Sequence, residues 1–314
     1  MRIAVIIPCF RVRDHIIDVL RRIPDIVEGI YVVDDCCPED SGNYIQSRIA
    51  DHRVTILRHE FNQGVGGAVV SGLEAAIADG MDIGVKVDGD GQMDPSLIPL
   101  FVGPICRGEA DITKGNRFYR IEDVRAMPRL RLFGNAVLSF FTKLSTGYWH
   151  IFDPTNGYVA LDLRFVSQMP LSKLHKRYFF ETDFLFRASL LQAKVLDIPM
   201  KAVYGSERSN LNIARAIPTF LAGHARNFFK RIFYNYFLRD FNIASLELIS
   251  GLVCTVFGFS FGIAKWGAEE PATAGTVMVA ALPLFVGIYL VLNFLNYDIQ
   301  SMPQEPISPR LLRG

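Results

Sequence analysis

The hydrophobic pattern divides the chain of 314 residues into two parts of different character. Up to about residue 200, short apolar runs of strand length alternate with stretches whose apolar residues recur at helical spacing. This alternation is typical of a parallel sheet covered by helices on both faces. After about residue 243 the apolar residues instead form two long runs, 243–264 and 272–295. Each run is about as long as the ~20 residues that a helix needs to cross a bilayer.

The first part predicts an α/β fold. Continuous apolar runs predict strands, because a parallel strand is buried on both faces. The predicted strands are 3–7, 29–33, 54–57, 83–87, one within 111–118, one within 152–160, and an edge strand at 195–200. The predicted helices are 14–28, 43–50, 64–78, 96–106, 133–146 and one that begins near 178. Ligands bind such sheets outside the carboxyl ends of the strands, so the polar residues after each strand are candidates for a site.

An acidic turn follows the strand at 83–87. Asp88 and Asp90 flank Gly89, and Gly91 comes next. The glycines let the backbone bend tightly and approach a ligand. Carboxylate oxygens on such a loop suit a hard cation, Mg²⁺ or Mn²⁺, which takes one or two protein carboxylates and completes its shell with substrate phosphates. The pattern predicts a metal–diphosphate site. The alternative is an acidic surface turn, since Asp and Gly are common in turns.

Further candidate residues follow the other predicted strands. Pro8 ends the first strand, and Asp34 and Asp35 end the second. The two carboxylates could accept hydrogen bonds from a nucleotide base or ribose, or could belong to a solvated turn. Gly64 and Gly66 precede a helix, where they could cradle an anion on exposed amides or give the helix start its flexibility. The sequence contains neither the full dinucleotide fingerprint nor a Gly-Lys-Ser/Thr phosphate loop.

Charge and cysteine usage narrow the class of protein. The net charge of +1 gives no strong field that would favour nucleic acid. The five cysteines are scattered and form no Cys-x-x-Cys pair, which fits a reducing cytosol. The first apolar run ends at Pro8 and is too short for a signal peptide. We therefore expect the first part to lie in the cytosol.

The second part predicts a membrane anchor. Residues 219–241 combine aromatic side chains with arginine and lysine, which is typical of an amphipathic helix at a membrane surface. The alternative is an amphipathic helix packed on the domain. Basic residues in 201–242 and in the tail predict cytosolic termini by the positive-inside rule. The expected segments are a catalytic domain at 1–215, interfacial helices at 216–242, a two-helix transmembrane hairpin at 243–296 and a cytosolic tail at 297–314.

Seven motifs stand in the order of a known family. They are Ile6-Ile7-Pro8, Val32-Val33-Asp34-Asp35, Asn62-x-Gly64-x-Gly66-x-Ala68, Val87-Asp88-Gly89-Asp90-Gly91-Gln92-x-Asp94-Pro95, Lys114-Gly115-Asn116-Arg117-Phe118, Asp153-Pro154-Thr155-Asn156-Gly157-Tyr158 and Gly205-Ser206-Glu207-Arg208-Ser209. The chain thereby resembles family 2 glycosyltransferases of the GT-A fold, specifically the polyprenyl-phosphate (dolichyl- or undecaprenyl-phosphate) glycosyltransferases. The resemblance covers roughly residues 3–215. It implies a Rossmann-like, mixed but mainly parallel sheet flanked by helices.

The resemblance implies a role for each motif. The nucleotide sugar would be bound by Pro8, Asp34, Asp35, Gly64, Gly66, Asp88 and Gln92. The metal, Mg²⁺ or Mn²⁺, would be bound by Asp88, Asp90 and Gln92. The lipid phosphate would be bound by Arg117, Arg131 and Arg208. The catalytic residues would be Asp90, Asp153, Glu181 and Asp183, although the last two are also ordinary dipole partners in the first turn of a helix.

One departure from the family concerns the nucleotide. After the first strand the family usually has Asn-Glu, whose carboxylate contacts the nucleotide. Here the chain reads Phe10-Arg11-Val12-Arg13-Asp14. Asp14 could substitute for that carboxylate, so both UDP- and GDP-linked sugars are candidate donors.

The resemblance and the membrane part together predict transfer of a sugar from a nucleotide sugar to polyprenyl phosphate, with inversion at the anomeric carbon. Three alternatives stay open. The first is a membrane glycosyltransferase acting on a lipid-linked glycan or a protein. The second is a polysaccharide synthase, although its Gln-x-x-Arg-Trp motif is absent from the sequence. The third is a non-catalytic scaffold. Related proteins are found as assemblies, so a homo-oligomer is also open.

Overall fold

The computed structural model describes residues 1–119, 129–201, 213–266 and 272–311, with all their side chains except those of 129–131 and 213–216. The chain forms two compact units. The first comprises Met1–Phe228 and Pro303–Gly314, and the second comprises Phe229–Met302.

A mixed sheet forms the centre of the first unit. Within the described residues its seven strands are β1 (Ile3–Cys9), β2 (Gly29–Asp34), β3 (Val54–Arg58), β4 (Ile83–Lys86), β5 (Ile112–Asn116), β6 (Val159–Asp162) and β7 (Val195–Pro199). They lie in the order β3-β2-β1-β4-β6-β5-β7. Strand β6 runs antiparallel to both of its neighbours, and the other pairings are parallel. The predicted mixed, mainly parallel sheet is confirmed, and β7 lies at an edge as predicted.

Helices cover both faces of this sheet. The described helices associated with the first unit are α1 (Arg13–Arg21), α2 (Ser41–Gln46), α3 (Val65–Ala78), α4 (Ile98–Cys106), α5 (Arg129–Thr146), α6 (Leu163–Val166), α7 (Phe180–Leu190) and α8 (Ile213–Phe233), the last of which ends in the second unit. Successive strand residues face opposite sides of a sheet. Ile7 of β1 therefore joins one core with α1 and α4, whereas Ile6 joins another with α3 and α7.

Several helix boundaries differ from the sequence prediction: α2, predicted at 43–50, spans Ser41–Gln46, and α4, predicted from 96, begins at Ile98. Helix α1 ends at Arg21 rather than at residue 28, because Pro24 is not tolerated in a helix interior. Ile23 and Val27 are nevertheless buried, so their apolar spacing reflects burial rather than helix. Helix α5 begins at Arg129 instead of residue 133. Its first turn is basic, so the apolar periodicity that predicted the helix did not reach it.

The end of the chain belongs to the first unit. The fully buried carboxylate of Asp111, just before β5, accepts hydrogen bonds from three backbone amides. They are those of Ile307 at 2.9 Å, Ser308 at 2.7 Å and Lys194 at 2.8 Å. Ile307 also packs against the core that contains α3 and α7. The stretch predicted as a cytosolic tail is thus joined to the sheet as far as it is described.

Two long apolar helices make up most of the second unit. They are α9 (Ile243–Trp266) and α10 (Ala274–Gln300), and both are long and apolar enough to cross a membrane. Small residues bring their backbones close together. A Cβ atom added to Gly287 would lie 2.5 Å from the amide nitrogen of Thr255 and 2.7 Å from the carbonyl oxygen of Gly251. Such close contact is typical of helix pairs in membranes.

A buried ion pair links α8 and α10 within the second unit. Arg231 donates to the two carboxylate oxygens of Asp298 at 2.6 and 2.9 Å, and both side chains are 2% exposed. The hydroxyl of Tyr236 donates to the same carboxylate at 2.6 Å. The basic residues of the predicted interfacial stretch therefore do not all face outward, since Arg231 is neutralised inside the protein.

Candidate active site

The acidic turn follows β4, and its own backbone contacts fix its shape. Gly91 has a φ of +76°, a conformation that favours glycine. The carboxylate of Asp90 accepts a hydrogen bond from the backbone amide of Gln92 at 3.0 Å. Asp94 accepts one from the amide two residues on and so caps a short 3-10 helix. Asp88 and Asp90 are both partly accessible, so both can reach a ligand at this edge of the sheet.

A buried lysine lies directly beneath this turn. Lys86, the last residue of β4, is 2% exposed. Its Nζ donates to Oδ1 of Asp88 at 2.7 Å and lies 3.6 Å from Oε1 of Glu181. Burial by itself lowers the pKa of Lys86, but the carboxylates of Asp88 and Glu181 outweigh that effect and hold the pKa above its usual value. Lys86 is therefore a charged group that joins the acidic turn to α7.

The two acidic residues at the start of α7 point in different directions. Residues two apart in an α-helix are separated by about 200° around its axis. Glu181 faces Lys86, whereas Asp183 is fully buried. Asp183 accepts a hydrogen bond from the amide of His175 at 3.1 Å and pairs with Nε of Arg187 at 3.2 Å. The structure brings Glu181, and not Asp183, to the acidic turn. The contacts of Asp183 hold the start of α7 in place, and the catalytic role predicted for this residue stays a prediction.

Arg117 and Asp153, predicted for different tasks, form a pair. Nε of Arg117 donates to Oδ2 of Asp153 at 2.7 Å, and Nη2 donates to Oδ1 at 3.1 Å. Asp153 has no exposed surface, whereas the side chain of Arg117 is 28% exposed. Asp153 therefore orients Arg117, and the catalytic role predicted for Asp153 stays a prediction.

A second buried lysine, Lys114 of β5, was assigned no role from the sequence. Its Nζ donates to the carbonyl oxygen of Asn156. Burial lowers the pKa of Lys114 to about 8, against the upward influence of Asp153 and Glu181. The signal that could have identified Lys86 and Lys114 is a single cation inside a predicted buried strand, because a buried charge without a partner is strongly unfavourable.

Asp197 of β7 also escaped the sequence prediction. It accepts hydrogen bonds from Nδ2 of Asn116 at 3.1 Å and from the backbone amide of Phe152 at 3.0 Å. Burial raises its pKa above the usual value for an aspartate. Asp197 therefore fixes the two segments that lead to Arg117 and Asp153.

Asp35 connects three elements at the carboxyl edge of the sheet. Its carboxylate accepts hydrogen bonds from the backbone amides of Gln63 at 2.8 Å and Gly64 at 2.7 Å. It also pairs with Nδ1 of His59 at 2.7 Å, while Nε2 of that ring lies 2.8 Å from Oγ of Ser71. Asp35 thus ties the end of β2 to the segment after β3 and to the start of α3.

Asp34 has a similar structural role. It is 6% exposed and accepts hydrogen bonds from the amides of Cys37 at 2.8 Å and Gly42 at 2.7 Å. Both predicted nucleotide-binding carboxylates therefore hold loops in place. Their contact with a nucleotide stays a prediction.

The glycines before α3 allow a close approach of backbone to backbone. Gly64 has a φ of +88°, and a Cβ atom added to it would lie 2.7 Å from the carbonyl oxygen of Lys176. A Cβ atom on Gly66 would collide with the carbonyl oxygen of His175. The backbone amide of Gly67 donates to the carbonyl oxygen of Lys176 at 3.1 Å. The amide of Gly64 is engaged by Asp35, so the anion-binding role predicted for these glycines stays a prediction.

Gln92 lines a cavity of 330 Å³ beside the acidic turn. Leu97, Tyr119, Met200 and Lys201 also contribute to its walls. The cavity thus combines polar and apolar walls and lies where Gln92 can reach a bound molecule.

The other predicted residues are less informative. Pro8 is partly buried on β1, opposite Val33 of β2. Asp14 is exposed in the first turn of α1. The side chain of Arg131 and the whole of Arg208 lie outside the described residues.

The donor atoms of the acidic turn suit a hard divalent cation. Asp88 and Asp90 offer carboxylate oxygens, and Mg²⁺ commonly takes one or two protein carboxylates together with substrate phosphates. Elsewhere in the described ranges, as at this turn, no group of three or more His, Cys, Asp or Glu residues is arranged to hold a metal. The residues therefore fit a cation whose shell is completed by a diphosphate.

Comparison with known proteins places the chain in a family. The family description "Glycosyl transferase family 2" matches residues 4–168. A UDP-N-acetylglucosamine–dolichyl-phosphate N-acetylglucosaminyltransferase of Methanococcus voltae is 32% identical over 152 residues, which are 48% of this chain and 60% of that relative. The chain thus spans less than two thirds of this relative's length. An undecaprenyl-phosphate mannosyltransferase of Micrococcus luteus is 27% identical over 207 residues, which are 65% of this chain and 84% of that relative.

A solved structure has the same fold. It is the glucosyl-3-phosphoglycerate synthase of Mycobacterium tuberculosis in complex with Mn²⁺, UDP and glucosyl-3-phosphoglycerate, with a TM-score of 0.54. The match has 17% identity and covers 73% of this chain and 79% of that one, so it establishes the GT-A-like fold alone. The family match takes in more than half of the 314 residues, including the acidic turn. The chain therefore belongs to glycosyl transferase family 2 and is a glycosyltransferase.

Proposed function

We propose that this enzyme transfers a sugar from a UDP- or GDP-linked donor to a polyprenyl phosphate at the membrane. The observation that carries the proposal is the presence, in one chain, of the Asp88–Asp90 turn and two helices of membrane-spanning length. Two relatives support it, since one is named for dolichyl phosphate and another for undecaprenyl phosphate. A water-soluble acceptor would give no reason for two such helices.

The donor binds at the acidic turn. Asp88, Asp90 and Gln92 would hold Mg²⁺ or Mn²⁺, and such a cation supplies Lewis-acid stabilisation of the leaving diphosphate. Glu181 meets the turn through Lys86, so its carboxylate orients the sugar and stabilises positive charge that develops at the anomeric carbon. The nucleotide lies near Pro8 and the loops that Asp34 and Asp35 hold together.

The acceptor phosphate binds beside Arg117. A phosphate monoester has a second pKa of about 6 and is already anionic at neutral pH, so its attack on the sugar needs no obligatory general base. Arg117, oriented by Asp153, binds this phosphate through charge-assisted hydrogen bonds. Arg131 and Arg208 are proposed to join it. A single displacement inverts the configuration of the anomeric carbon.

The reaction is proposed to take place on the cytosolic face. The catalytic domain at 1–215, the interfacial stretch at 216–242 and both termini would be cytosolic, with the hairpin at 243–296 in the bilayer. The described end of the chain, which joins the sheet through Asp111, would then lie with the catalytic domain.

The proposal is tested with the purified full chain in detergent and either Mg²⁺ or Mn²⁺. Radiolabelled UDP-glucose, UDP-N-acetylglucosamine and GDP-mannose are offered with undecaprenyl or dolichyl phosphate, and label is followed into the organic phase. We expect transfer from one donor, and loss of transfer with a chelator.

Two variants accompany this assay. Asp90→Ala should abolish transfer, whereas Asp25→Ala, at an exposed aspartate away from the turn, should leave it intact. If no donor labels either polyprenyl phosphate while nucleotide binding persists, the acceptor assignment is wrong.

A further inference from the structure

Lys86 occupies a position that the transfer reaction does not by itself explain. It is a buried cation at the end of a central strand, and its ammonium group contacts Asp88 on the buried side of the acidic turn. It sits between two carboxylates, those of Asp88 and Glu181, that the proposed function assigns to the donor. The turn therefore contains a positive charge of its own before any metal binds.

The surroundings of Lys86 prevent it from leaving. Its backbone is paired with Ile6 of β1 on one side and Val159 of β6 on the other. Gly157 covers the ammonium group, since a Cβ atom added there would collide with Nζ of Lys86 and lie 3.0 Å from Oδ2 of Asp88. The lysine is thus fixed in the sheet and enclosed on the side of Gly157.

We propose that Lys86 is an internal counter-cation that positions Asp88 and Glu181 and competes with the divalent cation for Asp88, so that the turn binds the metal tightly only together with the donor diphosphate. The inference rests on the proposed function and adds a residue and an order of binding to it. Lys86 is a positioning residue, because it touches Asp88 and Glu181 rather than the reacting atoms.

The physical basis is the balance of charge at the turn. Two positive charges a few ångströms apart repel each other, and the repulsion is stronger when one of them, here Lys86, is buried away from water. A divalent cation on Asp88 would lie close to the ammonium group that already binds Oδ1 of the same carboxylate. The diphosphate of the donor brings negative charge that offsets this repulsion. The metal and the donor therefore favour each other's binding, and by linkage the effect is reciprocal.

This arrangement makes two predictions of opposite sign. In Lys86→Met, a side chain of similar length without charge, the competitor is removed, and the affinity for Mn²⁺ alone should rise about tenfold. In Glu181→Gln, Lys86 loses one of its two carboxylate partners and pairs with Asp88 alone, so the affinity for Mn²⁺ alone should fall. Both variants should transfer sugar more slowly at saturating Mn²⁺ and donor. If Lys86 had a purely structural role, Lys86→Met would instead weaken metal binding and activity together.

Mn²⁺ binding to the full chain in detergent is measured by electron paramagnetic resonance, first alone and then with UDP or GDP. In the wild type, the nucleotide should tighten Mn²⁺ binding severalfold, and in Lys86→Met that gain should shrink. Lys173→Met, at an exposed lysine, is the matched control and should bind Mn²⁺ as the wild type does. Thermal midpoints measured without metal identify any variant that does not fold. If Lys86→Met does not fold, the isosteric Glu181→Gln provides a second test.

Two results separate this inference from the proposed function. Asp90→Ala should abolish Mn²⁺ binding with or without nucleotide, and its failure to do so would overturn the metal site itself. If the wild type binds Mn²⁺ and transfers sugar, but Mn²⁺ affinity in folded Lys86→Met is unchanged or lower, the role given to Lys86 is wrong while the proposed function stands.

Discussion

The guanidinium of Arg117 is held by the carboxylate of Asp153 through two hydrogen bonds, and of the two side chains the arginine alone has exposed surface. The pair converts a flexible side chain into a fixed donor group. In this geometry Asp153 orients Arg117, which is the residue proposed to meet the acceptor.

Asp153→Asn should weaken the binding of the acceptor. The amide keeps one acceptor oxygen but loses the charge and one of the two hydrogen bonds. A hydrogen bond to a charged group is worth about 1.5–3 kcal/mol, so we expect KM for polyprenyl phosphate to rise at least about tenfold, while KM for the donor changes little. Steady-state kinetics with varied acceptor measure both values. Glu109→Gln, which disrupts the exposed pair of Glu109 with Arg107, is the control. An unchanged acceptor KM would contradict the role given to Asp153.

Asp111→Ala should destabilise the first unit, although Asp111 does not contact the acidic turn. The substitution leaves the amides of Lys194, Ile307 and Ser308 without their acceptor. Unpaired buried groups of this kind cost about 1–3 kcal/mol each, so the thermal midpoint should fall by at least about 5 °C. Differential scanning fluorimetry in detergent measures this. Glu305→Ala, at an exposed residue of the same stretch, should shift the midpoint little. Equal shifts in the two variants would show that Asp111 does not secure the end of the chain.

Lys114 should make stability depend on pH in the alkaline range. Its pKa is about 8 in the folded protein and near 10.5 in the unfolded chain. Between these values the unfolded chain binds more protons than the folded one, so stability rises with pH. Below pH 8 the buried charge is at its most unfavourable. The contribution changes by at most about 1.4 kcal/mol per pH unit within that window.

The measurement compares the wild type with Lys114→Met by thermal unfolding at pH 7.0, 8.5 and 10.0, roughly spanning that window. The stability of the wild type relative to Lys114→Met should increase with pH, whereas Lys173→Met should run parallel to the wild type. A constant difference between the wild type and Lys114→Met would mean that Lys114 does not titrate in this range.

Gly287→Val should loosen the helix pair of the second unit. The new side chain would meet the backbone of Thr255 and Gly251, and overpacking of this kind costs about 1–3 kcal/mol. Gly262→Val on α9 is a matched control, because a Cβ atom there would lie 3.7 Å from Ala280, an ordinary contact. The thermal midpoint in detergent should fall for Gly287→Val and not for Gly262→Val. If both variants behave alike, close approach at Gly287 does not stabilise the pair.

The sheet and the acidic turn could be predicted from the sequence because both depend on local patterns. Continuous apolar runs such as Ile3–Ile7 mark buried parallel strands, and Asp88 and Asp90 follow such a run directly. The end of the first predicted helix was wrong because buried residues after Pro24 continue the helical spacing.

The partners of the site residues could not be predicted in the same way, because they come from distant parts of the chain. Asp35 is engaged by His59 and Gly64, and Lys86 faces Glu181 across the fold. Glu181 and Asp183 look equivalent in sequence, and the rotation of the helix separates them. Lys86 and Lys114, each on a buried strand, could have indicated such partners, since a buried charge is unfavourable without one.

The antiparallel direction of β6 determines which loop lies at the carboxyl edge of the sheet. Val159 pairs with Lys86 of β4 and with Lys114 of β5, so the chain enters β6 at the edge where both neighbours end. The stretch 147–158 is thereby inserted between the acidic turn and the strand that leads to Arg117. Gly157 of this stretch lies against Lys86 beneath the acidic turn, and Asp153 of the same stretch pairs with Arg117, so one loop shapes both halves of the proposed site.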